Sequence, residues 1–361
     1  MIEHAPRFYR RNLNWILSQK SIPVFIGVLF CFIMWYMASC CETLEAFDLH
    51  RYYDYALATR NVPLRVIIDE NWSRSVDFIY YAILHISLKI GIPLNLITAL
   101  TVTIAYAMII DCMKVIYKGR MEWYVLFGVL FLTPVSWVIE ISRNMMAFMF
   151  IFISLKQYYQ RHWFLTFLFV SLGILTHFSS LMYIAVVALC VFIQKIKINK
   201  ILIICAVLFI LVLSYLIPSY MLDIMSMILS GGDTVFSTQY GAMEADGVSN
   251  WSNFGTADIV AIVYGLIYSI IILLKNRIQG FEFWCLFLLT AMFSFFVNSS
   301  QMFTNRCMMF IPMFWALNIA QIYRYGTKRD ISTIKTMSVC CVVLALWHVF
   351  SYRDMYFPYF F

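Results

Sequence analysis

Apolar runs of membrane-spanning size recur along the chain from Ser21 to Phe350, with only short polar interruptions between them. Backbone groups inside a bilayer find no water and must bond to one another, so such runs span as helices. The weak alternating pattern of a membrane barrel is absent. Composition agrees, since 63% of residues are hydrophobic and 12% are charged, roughly half the charge usual in a soluble domain. The expected fold is all-α: a polytopic transmembrane helical bundle forming a single integral-membrane domain over residues 1–361.

The net charge of +7 does not point to a nucleic-acid partner, because the basic residues stand at the ends of apolar runs rather than on a groove or arm. They report topology. Arg7, Arg10, Arg11 and Lys20 precede the first run, which is too long and aromatic for a cleaved signal peptide, so an uncleaved helix with a cytoplasmic N-terminus is expected. Cys31, Cys112, Cys190, Cys205 and Cys285 fall in or beside apolar spans and read as small core residues.

Runs of about 15 to 20 residues place spans near 21–40, 94–113, 122–138, 143–159, 163–178, 180–194, 201–217, 258–274, 281–298, 304–323 and 336–350. The stretch 76–90 is apolar but carries Asp77, His85 and Lys89. Counting it as a span would turn most downstream lysines and arginines outward, against the positive-inside rule. An interfacial or re-entrant helix in the first external segment, 41–93, is expected instead. The stretch 163–194 as one helix would measure about 48 Å against a hydrocarbon core of about 30 Å. It is expected to bend near Thr176 to Ser180, on the outer side. A second external loop covers 218–257. About eleven spans result.

The unusual polar residues then gather on one side. Arg143 opens a helix beside Glu140 and Asn144, where its guanidinium can fork onto phosphate oxygens or simply snorkel while paired with Glu140 at i,i+3. His177, next to Ser179, offers a general base or a phosphate donor; the other reading is a helix end whose polar groups satisfy freed backbone. Arg306 is the only basic residue in its external connection. Asp48, Tyr52 and Asp54 lie in the first external segment, suited to sugar hydroxyls and sugar faces, or to an amphipathic interfacial helix. No Gly-rich phosphate loop, Cys-x-x-Cys pair or His-Glu-x-x-His is present, so no cofactor and no metal is expected, and ATP-driven pumping is disfavoured.

The order of motifs resembles the EpsG-like branch of the Wzy-type polysaccharide polymerases. The matching residues are Asp48 to Tyr52, Arg143 to Ala147, the basic turn Lys156 to Arg161, His177 to Ser179, and Arg306 to Trp315. The family often has glutamine where Asn144 stands. The resemblance implies a bacterial inner-membrane glycosyltransferase similar to GT-C-like membrane enzymes. Such an enzyme would join polyprenyl-diphosphate-linked oligosaccharide repeats at the outer face, in exopolysaccharide, capsule or O-antigen synthesis on undecaprenyl diphosphate. It implies catalytic roles for Arg143, His177, Arg306 and Asp48, with Tyr52, Asp54, Glu140, Asn144 and Ser179 binding substrate. Implied partners are the lipid-linked oligosaccharide, membrane lipids, and flippase and chain-length regulator proteins. Two alternatives stay open: a lipid-linked oligosaccharide flippase or transporter, and a glycan ligase.

Overall fold

The structure is a computed structural model that describes residues 21–41, 48–75, 78–119, 121–130, 135–196, 199–216, 256–275, 280–297 and 301–351. Asp77, the basic N-terminal residues and nearly all of the 218–257 loop lie outside the described residues. Among the described residues there are fifteen helices and no strand.

The first is α1 (Ser21–Cys41), followed by three short helices, α2 (Asp48–Ala58), α3 (Leu64–Ser75) and α4 (Ile79–Lys89). Next come α5 (Leu94–Tyr117), α6 (Trp123–Leu130), α7 (Val135–Glu140), α8 (Ser142–Tyr159), α9 (Trp163–Thr176) and α10 (Ser180–Lys195). The remainder are α11 (Lys200–Leu216), α12 (Thr256–Lys275), α13 (Phe281–Phe296), α14 (Gln301–Tyr325) and α15 (Lys328–Ser351). At about 1.5 Å per residue, the 11 residues of α4 reach about 16 Å, half of a hydrocarbon core. That length agrees with a helix that does not span. Its end is made by Gly91 and Ile92, whose N–H groups bond back to Leu88 and Ser87 carbonyls at 3.2 and 2.8 Å before Pro93 starts α5.

The expected bend also forms. His177 has extended backbone (φ −156°, ψ 113°), which ends α9, and α10 begins three residues later. Of the described helices, α5 alone is both long and apolar enough to cross a membrane by length and composition. Shorter apolar helices occur at Phe25–Cys40, Trp163–Thr176, Ser180–Lys195, Lys200–Leu213, Leu266–Lys275 and Phe281–Phe296. Several turn apolar side chains outward rather than inward. Phe25 on α1, Phe164 and Phe167 on α9, and Phe209 on α11 are each more than 60% exposed. Exposed apolar surface on this scale calls for lipid or protein around it.

The helix ends sort by charge. At one end Arg324 of α14 donates to the Ile116 carbonyl of α5 at 3.0 Å, and Tyr323 donates to Glu122 at 2.7 Å. Lys335 of α15 pairs with the same Glu122, and Lys156 of α8 donates to Asp111 of α5 at 2.5 Å. This is the basic end. The opposite end is where α8, α10 and α14 start and α9 stops. Helix α5 runs through the middle, packed against α1, α8 and α14.

Candidate functional site

Three helix starts are drawn together by one ring. Phe310 of α14 stacks on Tyr183 of α10 and meets Phe148 of α8 edge-on, all three buried. Such aromatic contacts contribute about 0.5–1.5 kcal/mol each beyond area burial. Four residues earlier in the chain stand Arg306 on α14, Asn144 on α8 and Ser179, the residue that caps the start of α10. Since four residues make about one turn, these positions form the next layer toward the helix starts.

A second contact brings in His177. Helices α8 and α9 pack antiparallel, and a Cβ at Gly173 would lie 3.4 Å from Ile151 Cγ1 and 3.5 Å from the Ala147 carbonyl. Small residues allow this approach between helix backbones. One turn farther out from Ala147 is Arg143, and one turn farther out from Gly173 is His177, whose N–H bonds the Gly173 carbonyl at 3.0 Å. Arg143 and His177 therefore sit at the same depth on neighbouring helices. His177 is buried, and its carbonyl accepts from Ser180 N–H at 2.9 Å, so the backbone of the bend is satisfied.

The short helices close over Arg143. Its Cζ lies 5.1 Å from the Tyr52 ring centroid and 5.7 Å from that of Tyr81, and Nη1 donates to Tyr81 Oη at 3.0 Å. Ring faces attract a cation by about 0.5–2 kcal/mol and position it without neutralising its charge. Tyr52, Tyr80 and Tyr81 pack edge to face, with centroids 5.4 to 6.1 Å apart, and Tyr55 approaches Tyr81 at 5.0 Å. Tyr80 Oη and Ser142 Oγ are 2.6 Å apart, which ties α4 to the start of α8; Tyr53 Oη and Thr98 Oγ1, 2.7 Å apart, tie α2 to α5. Burial pushes the Tyr52 phenol above its ordinary range despite the opposing charge of Arg143, and it does the same to Tyr80. Both are neutral hydroxyls at physiological pH and not bases.

The acidic groups lie alongside. Asp48, in the first turn of α2, pairs with Arg51. Glu140 stands at the α7–α8 junction, outside the 122–138 and 143–159 spans. The charges acting on it come from Asp48 and Arg51 of α2, and the Asp48 backbone N–H bonds to it. Burial first and the Asp48 charge second raise its carboxyl to about 7. A carboxyl raised above its unfolded value holds its proton longer in the folded state, so stability falls as pH rises from about 4.5 through 7. Thermal unfolding of the purified protein is expected to show a lower midpoint at pH 8 than at pH 5, with part of that difference missing in Glu140→Gln. An unchanged difference in the variant would show that Glu140 carries no such shift.

The fold thus places Arg143, Tyr52, Asp48 and Glu140 in one cluster and Asn144, His177, Ser179 and Arg306 in the adjoining layer. Asp54 differs: it faces away, 61% exposed, bound to His50 at 3.0 Å. Sequence spacing missed Tyr80, Tyr81 and Ser142, although the Tyr80-Tyr81 pair inside an otherwise apolar short helix was a visible signal. His85, noted in the sequence only as a polar residue of 76–90, lies one turn from Tyr81 on α4 and is buried with neither ring nitrogen hydrogen-bonded. Burial, then the charge of Lys89, lowers its pKa. Among the described residues no group of three His, Cys, Asp or Glu side chains is arranged to hold a metal.

These features define a protein that is helical over its described residues, with apolar outer faces and an arginine in a tyrosine cage at the end opposite Lys156, Arg324 and Lys335. The chain belongs to the EpsG family, whose model matches residues 19–361. Membership suggests a membrane protein of exopolysaccharide biosynthesis. No curated protein and no solved structure matches the chain.

Proposed function

We propose that this protein is the polymerase that joins polyprenyl-diphosphate-linked oligosaccharide repeats at the outer face of a bacterial cell membrane. In this reading the bundle crosses the membrane about eleven times, the basic end faces the cytoplasm, and the cluster around Arg143 opens to the outer leaflet. The observation that carries it is the caged guanidinium of Arg143, set at the depth of His177 and beside the acidic pair Asp48 and Glu140. A planar, permanently charged ion held by its faces suits the planar fork that diphosphate oxygens accept.

The chemistry follows from charge. An acceptor hydroxyl attacks the anomeric carbon of the donor sugar, forming the new C–O bond as the bond to the diphosphate breaks. The electron pair leaves on the phosphate oxygens, where Arg143 and Arg306 stabilise it, and stabilisation aimed at developing charge is the largest usual source of rate. The hydroxyl proton passes to a carboxylate, Asp48 or Glu140, or to His177. Tyr52 and Tyr81 hold the guanidinium in place for this contact. The diphosphate is already a leaving group, so no nucleotide is needed.

A strain lacking the protein, analysed for lipid-linked glycans, is expected to accumulate single repeats on the outer leaflet and make no polymer. Single repeats confined to the inner leaflet would instead identify a flippase, and intact polymer left unattached to its final acceptor would identify a ligase.

A further inference from the structure

At the basic end, away from the Arg143 cluster, α13 and α14 enclose a polar group in an otherwise apolar interior. Glu282, in the first turn of α13, and Asn318 of α14 are fully buried, and Gln321 of α14 is 5% exposed. Their donors are spent in ways that fix the orientation of each group. Asn318 Nδ2 bonds two backbone carbonyls, Phe314 at 2.9 Å and Glu282 at 3.2 Å, so its amide cannot be turned around without setting oxygen against oxygen. Gln321 Nε2 donates to Glu282 Oε1 at 2.8 Å. Three oxygens are left without a donor: Glu282 Oε2, Asn318 Oδ1 and Gln321 Oε1. Buried polar atoms are nearly always partnered, and three orphan acceptors on neighbouring side chains are an excess of negative potential with no hydrogen-bond donor among the described residues to meet it.

Gly280 lets Glu282 and Gln321 come together. A Cβ there would lie 2.2 Å from Glu282 Oε2 and 3.2 Å from both Cδ and Nε2 of Gln321, so the carboxylate occupies the space a side chain would fill. The neighbouring lysine on α8 is committed elsewhere. Helix α8 ends against this group, with Tyr158 and Tyr159 packed on Phe281, but Lys156 is bound to Asp111 at 2.5 Å.

We propose that Glu282, Asn318 and Gln321 form a binding site for one monovalent alkali cation. Carboxylate and amide oxygens are hard ligands of the kind that hold such ions. One carboxylate balances one positive charge, whereas a divalent ion would leave a net buried charge, which the interior disfavours strongly. A proton on Glu282 would serve one of the two amide oxygens and leave the other orphaned; a cation among the three serves all. The ion joins α13 to α14, the helix whose far end carries Arg306, and so holds that helix in register. The site does not depend on the polymerase reading.

The full-length protein, purified in detergent, is to be unfolded by heat at pH 8 in sodium, potassium or choline chloride at equal ionic strength. The expected result is a saturable rise of a few degrees in the midpoint with sodium or potassium over choline, as binding to the folded state alone requires, together with about one bound radioactive sodium ion per protein. Glu282→Gln keeps the shape and removes the charge, and is expected to lose both. Should that variant fail to fold, Gln321→Met, which removes one oxygen, is expected to shift the half-saturating sodium concentration upward at least tenfold. Equal midpoints in all three salts, or an undiminished sodium response in the variants, would overturn the proposal.

Discussion

Arg143→Ala is expected to lower polymer formation about 100- to 1,000-fold, the usual cost of removing one preorganised charge from a transition state, while the protein stays at normal abundance in the membrane. Arg143 donates a hydrogen bond to Tyr81 at 3.0 Å and lies over two rings of a tyrosine group that also packs edge to face by itself. Loss of the Tyr81 bond costs on the order of 1 kcal/mol, and protein abundance separates that structural cost from a loss of chemistry. Arg143→Lys is expected to recover little, because a compact ammonium neither fills the space between two rings nor forks onto two oxygens. Glycans resolved on a gel, beside a blot for the protein, make the comparison. A normal ladder from Arg143→Ala would remove the proposed site.

Gly173→Leu is expected to abolish polymer to a similar degree without touching a proposed catalytic group, whereas Gly173→Ala is expected to be close to wild type. An alanine Cβ would meet Ile151 and the Ala147 carbonyl at 3.4 and 3.5 Å, ordinary contact distances. The longer leucine side chain has no room there. It must push α9 off α8, at a cost of about 1–3 kcal/mol, and the displacement passes directly to His177, one turn away. Misplacing a reacting group by about 1 Å costs on the order of 100-fold in rate. A leucine variant that folds and still makes full-length polymer would show that the Arg143–His177 juxtaposition does not matter.

Much of this arrangement was legible in the sequence, for reasons particular to membranes. Charge asymmetry alone made 76–90 a helix that does not span, and α4 has the length of one. The length of 163–194 required a break, and His177 supplies it. The start of a helix beside Arg143 likewise followed from the end of an apolar run. What sequence did not disclose was lateral pairing. Tyr80 meets Ser142 across 62 positions, and Glu282 meets Gln321 across 39, and nothing in local periodicity encodes which helix lies beside which. Helix α3 escaped notice because Leu64–Ser75 is too polar on average to register as an apolar run. Asp54 was drawn into the site by nearness to Asp48, but six residues along α2 is nearly two turns and, with 3.6 residues per turn, on the other side of the helix. The raised carboxyl of Glu140 depends on α2 folding over it, a contact between segments about 90 residues apart.

The central claim is that the chain itself builds polymer from a lipid-diphosphate donor at the Arg143 cluster. It is tested most directly by purified protein in liposomes supplied with a polyprenyl-diphosphate-linked repeat, with products followed by gel over time. A ladder of increasing length from the wild type, and none from Arg143→Ala, is the predicted outcome. Ladders of equal length and yield from the two proteins would contradict it.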